Sequence, residues 1–103
     1  MKNLRLNKLV DRITCIDCDG KKVQVKFDSK NNMFWKVDTQ SSVLFGREKV
    51  NFKQLNNSMY SISWKEDTGV SVNMVFNFIT NKLIAIWTSD NDLNAVEGHF
   101  NVI

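Results

Sequence analysis

Between Met59 and Phe78, apolar side chains recur at every second position. Tyr60, Ile62 and Trp64 fall on one side of the chain, and after the "EDTG" turn so do Val70, Val72, Met74, Phe76 and Phe78. Ser61, Ser63, Lys65, Ser71, Asn73 and Asn77 take the other side. A period of two is that of a strand with one dry and one wet face; on a helix it would scatter apolar groups all round the axis. This run therefore predicts a long antiparallel hairpin. The alternation returns along the chain. Val23, Val25 and Phe27 oppose Lys22, Gln24, Lys26 and Asp28, and Met33, Trp35 and Val37 form a further set, as do Val50 and Phe52. Turn signals separate the runs: Asp19-Gly20, "SKNN" at 29–32, "NNS" at 56–58, "TNK" at 80–82 and "SDNDLN" at 89–94. The sequence contains no proline, so no run is barred from a ladder on that account.

About eight short strands with short connections predict an all-β, up-and-down antiparallel meander. As an open sheet it would leave two bare edges, and closure into a small barrel removes them. An eight-stranded barrel has an interior that fits side chains or one small ligand. At 103 residues, the chain is expected to form a single domain over 1–103. The first ten residues, with Leu4, Leu6, Leu9 and Val10, read as a further strand or as a plug for one end.

The net charge of +3 comes from 14 basic and 11 acidic residues dispersed along the chain. Its only dense basic spot is Lys21, Lys22 and Lys26, which reads as a solvated strand face rather than a phosphate-binding stripe. No nucleic-acid partner is expected. Nor is a membrane one, since no apolar run approaches the ~20 residues a spanning helix needs. No signal-peptide pattern opens the sequence, so a cytoplasmic location and free thiols are expected.

The two cysteines form a CxxC pattern, "CIDC" at 15–18. On a strand, residues three apart point to opposite faces, so Cys15 and Cys18 do not converge on one metal ion. The strand–turn–strand context also lacks the helix N-terminus that activates a thioredoxin-type cysteine. The lone His99 alternates out of the Val96, Phe100, Val102 face and has no visible nucleophile partner. No metal and no cofactor are expected.

Residues 50–78, "VNFKQLNNSMYSISWKEDTGVSVNMVFNF", resemble the core hairpin of bacterial phenolic acid decarboxylases. The resemblance rests on Val50-Asn51, Tyr60, Trp64-Lys65-Glu66, Gly69 and Asn77, with weaker matches at Asp19-Gly20 and Gly46-Arg47. The same pattern marks the molybdenum-cofactor-biosynthesis protein F-like domains, and both groups are calycin barrels akin to lipocalins. The resemblance thus implies the barrel that periodicity also predicts. It implies Glu66 as an acid–base group and Arg47 as its companion, with no cofactor. It also exposes a departure. The family's two first-strand tyrosines align, from the Asp19-Gly20 turn, with Cys15 and Asp17. Neither is a phenol, and a cavity-facing Asp17 carboxylate would repel a carboxylate substrate.

Trp35, Trp64 and Trp87 all fall on apolar faces, and with Tyr60 they predict either a filled core or an aromatic-walled cavity. The expected function is binding of a small aromatic or apolar molecule. Trp64, Tyr60, Trp35 and Trp87 would form the walls, with Cys15 and Asp17 in the altered pocket and Glu66 and Arg47 as polar contacts. Alternative expectations are a cofactor-independent lyase acting on a phenolic-acid-like substrate, and a structural barrel without a cavity that pairs as a homodimer.

Overall fold

The computed structural model describes residues 9–103, and every regular element in that range is a strand. Nine strands form one antiparallel sheet: β1 (Ile13–Cys18), β2 (Lys21–Phe27), β3 (Asn32–Asp38), β4 (Val43–Lys49), β5 (Asn51–Gln54), β6 (Met59–Lys65), β7 (Ser71–Asn77), β8 (Lys82–Ser89) and β9 (Asp92–Val102). Their spatial order is β4-β3-β2-β1-β9-β8-β7-β6-β5. The terminal strands of this ladder, β4 and β5, are consecutive in the chain and separated only by Val50. The sheet therefore curls almost into a closed barrel. One more strand appears than the sequence led us to expect, and the bend at Val50 accounts for it. The chain before Val50 pairs with β3 and the chain after it pairs with β6. Val50 is itself buried, and its N–H donates to the Asn31 carbonyl at 2.8 Å, which pins the bend.

Turn chemistry sets the register. Asp19 and Gly20 both adopt positive φ, 52° and 77°, between the paired residues Cys18 and Lys21. Two consecutive left-handed residues match the twist of the strands they join, as a two-residue hairpin requires. The β6–β7 hairpin is longer. Glu66 N–H donates to Val70 O at 2.8 Å, and Gly69, at φ 93°, donates to Glu66 O at 2.9 Å. Across this hairpin Tyr60 faces Phe76, Ile62 faces Met74 and Trp64 faces Val72, the dry face read from the alternation.

The core is graded along the barrel axis. At one end Leu9, Phe27, Tyr60 and Phe76 are fully buried. Here Tyr60 meets Phe78, Phe78 meets Phe100 and Phe100 meets Phe76, all edge-to-face with centroids 4.9–5.8 Å apart. Phe27 and Phe52 form a further edge-to-face pair at 5.4 Å. Such pairs add about 0.5–1.5 kcal/mol each to the area term. Leu9 joins this cluster and Val10 bridges to Phe27; the rest of the expected N-terminal plug, residues 1–8, lies outside the described residues. At the other end of the barrel the inward side chains include the three tryptophans, which are only half-buried.

The packed end contains one polar anomaly. Thr14 is fully buried and its Oγ1 has no hydrogen-bond partner among the described residues. An unpaired buried hydroxyl costs about 1–3 kcal/mol. Thr14→Val keeps the shape and removes that cost, so it should raise the thermal midpoint. A calorimetric scan showing a lowered midpoint would mean that the hydroxyl is satisfied in solution.

Candidate functional site

The open end of the barrel holds a cavity of about 500 Å³. Every strand side that points into it was settled by pairing. On β3 and β6 the inward residues are Trp35 and Val37, and Trp64 followed by Glu66; on β8 they are Ala85 and Trp87. Met33 and Met74 form part of the wall toward the packed end, and the rim carries Asp19 and Lys21 from the β1–β2 turn.

Two glycines shape this region by what they lack. Trp35 pairs with Gly46 across β3 and β4, and a Cβ at Gly46 would come within 2.5 Å of the indole Cζ2. The indole therefore lies across the β4 backbone in space only glycine leaves. Gly98 on β9 pairs with Cys18, and a Cβ there would collide with Cys18 Sγ and the Asp17 carbonyl. Absence of a side chain at Gly98 lets β1 and the Cys18 thiol sit close against β9.

Glu66 is half-buried and lines the cavity. Its Oε2 accepts a hydrogen bond from Trp64 Nε1 at 3.3 Å. The two residues are two apart on one strand face, so the indole N–H and the carboxylate meet at the mouth. Cys18 also faces the cavity. Partial burial pushes its thiol pKa up, and the nearby Asp17 and Asp19 carboxylates add to the rise by disfavouring thiolate.

Of the residues singled out from sequence, the structure brings together Trp35, Trp64, Trp87 and Glu66 around this one cavity. Tyr60 lies apart from them, fully buried in the packed end. Arg47 is exposed on the outer face of β4, opposite Phe34, because Gly46 and Glu48 take the inward parity. Cys15 and Asp17 also point outward and line an external groove with Lys22, Lys36 and His99. The inward residues of β1 are Thr14, Ile16 and Cys18, one position away from the pair that the alignment to tyrosines indicated. The signal that finds them lies in the turn. A two-residue Asp-Gly loop puts Cys18 opposite Lys21, hence Ile16 opposite Val23 and Thr14 opposite Val25. Directly opposed residues share a face, and Val25 belongs to the apolar side of β2. Both cysteines are free thiols on opposite faces. Among the described residues, no group of three or more His, Cys, Asp or Glu side chains could hold a metal ion.

The chain matches the MoaF-like family model over residues 11–101. It belongs to the MoaF-like family, in keeping with the calycin-type barrel. No curated protein matches it in sequence. Among solved structures, a crystal structure described as "a putative beta-lactamase from Burkholderia vietnamiensis" superposes with a TM-score of 0.79. The two share 15% identity, and the match covers 92% of this chain and 95% of that one. At this identity the likeness establishes a shared fold. No helix among the described residues is long and apolar enough to cross a membrane.

Two outcomes test this geometry. Gly46→Ala should displace the Trp35 indole, shifting its fluorescence and lowering stability by about 1–3 kcal/mol; an unchanged emission and melting curve would show that the indole does not lie over Gly46. The rate of Cys18 alkylation by iodoacetamide, followed by peptide mass spectrometry, should rise with pH along a curve displaced to higher pH than that of a free thiol, because the reactive thiolate is disfavoured. A curve displaced to lower pH would contradict the burial described for Cys18.

Proposed function

We propose that this MoaF-like barrel binds a small aromatic or otherwise apolar molecule in the cavity at its open end. The observation that carries the proposal is the cavity itself: about 500 Å³, walled by apolar side chains and three tryptophans. That volume lies in the range of small-molecule sites, which pair an apolar wall with a few placed polar groups. Glu66, hydrogen-bonded to Trp64, supplies such a group. The two free thiols accord with a reducing compartment such as the cytoplasm.

A lyase of the phenolic acid decarboxylase type has less support. The chain's single tyrosine, Tyr60, is packed among phenylalanines, and the inward positions of β1 carry no phenol. Binding without turnover is the reading we favour.

Titration with a panel of small planar aromatics, read by tryptophan fluorescence, should give saturable quenching. Trp87→Ala should weaken the best binder by roughly tenfold, the equivalent of losing about 1.4 kcal/mol of ring contact. A flat response across the panel would count against the binding reading. Incubation with 4-hydroxycinnamic acid should leave its ultraviolet absorbance unchanged. Loss of the conjugated-acid band in wild-type protein but not in Glu66→Gln would favour the lyase instead.

A further inference from the structure

The polar groups at the cavity are few, and they are unequal. Lys21 and Asp19 are exposed at the two ends of the β1–β2 turn and present opposite charges to water. Screening leaves exposed charges of this kind little influence on a bound ligand. Glu66 differs from both. It is half-buried, its backbone is fixed by hydrogen bonds to Val70 and Gly69, and one carboxylate oxygen is held by Trp64 Nε1. Trp64 is the only side-chain partner of Glu66 among the described residues, and it is neutral.

A neutral donor orients a carboxylate without cancelling its charge. The one charge fixed at the cavity is therefore negative, and it is flanked by indole rings. The face of an indole carries the negative part of its quadrupole, so it also attracts cations. Carboxylate and rings act in the same direction. Resting on the binding reading above, we infer that the cavity selects aromatic or apolar ligands whose polar end is a cation, such as an organic ammonium group. Ligands ending in a carboxylate are disfavoured. The apolar body would lie among Trp35, Trp87 and Met74, with the ammonium group toward the free oxygen of Glu66. This preference is opposite in sign to the one a phenolic-acid site needs.

A matched series separates the inference from the reading it rests on. Cinnamylamine, cinnamyl alcohol and cinnamate share one skeleton and differ in the charge of the head group at neutral pH. Isothermal calorimetry on the wild-type chain should rank them in that order, with the ammonium form roughly tenfold tighter than the alcohol, as a charge-assisted hydrogen bond allows. Glu66→Gln should reduce the tenfold advantage of the amine over the alcohol to near none. Lys21→Ala should leave the order intact. If the alcohol binds but the amine gains nothing over it, or if cinnamate binds tightest, the charge preference is wrong while the binding reading stands. If none of the three binds up to millimolar concentration, the binding reading fails and the preference fails with it. The wild-type ranking decides the matter even if Glu66→Gln does not fold.

Discussion

The phenylalanine cluster at one end of the barrel is the contact on which the rest depends. Tyr60, Phe78, Phe100 and Phe76 meet edge-to-face in succession, and Phe27 and Leu9 are buried in the same core. These rings come from β2, β6, β7 and β9 and the turn after β7, strands far apart in the chain. Burying them together removes apolar surface that no single hairpin could hide, at about 1.5–3 kcal/mol per side chain. It also draws the sheet into a curve, because distant strands must converge on one point. With that end filled, the inward side chains of the other leave a cavity of about 500 Å³ between them. The cavity is thus a consequence of how the apolar volume is distributed along the strands.

The bend at Val50 works with this cluster. A flat ladder would leave β4 and β5 as bare edges with unpaired backbone groups. Placing them in sequence, with one buried residue between, lets a single stretch of chain serve both ends of the sheet. Trp35 on β3, Trp64 on β6 and Glu66 just after it belong to the strands that β4 and β5 pair with or to their ends, and they line the proposed binding site. Closure and site formation are two aspects of the same geometry.

Membership of the MoaF-like family and the shared fold with a distant solved structure place the chain among barrels of this type. In this chain the inner face of β1 carries Thr14, Ile16 and Cys18, and Glu66 lines the mouth of the cavity.

Alternation of apolar residues alone determined the all-β class, the hairpin of β6 and β7, the inward placement of Trp35 and Trp64, and the inward parity of Glu66. Those follow from local geometry, since a strand turns its side chains by half a revolution per residue whatever surrounds it. Sequence could not decide β1 by alternation, because Ile13, Cys15, Ile16 and Cys18 leave both parities apolar. The pairing with β2 across the Asp19-Gly20 turn and with β9 at Gly98 decided it, and turned Cys15 and Asp17 outward. Tertiary structure alone also separated Tyr60 from Trp64, which share a face but lie toward opposite ends of the barrel. It likewise decided that the interior is filled at one end and hollow at the other, since that depends on which strands converge, and local pattern carries no record of distant volume.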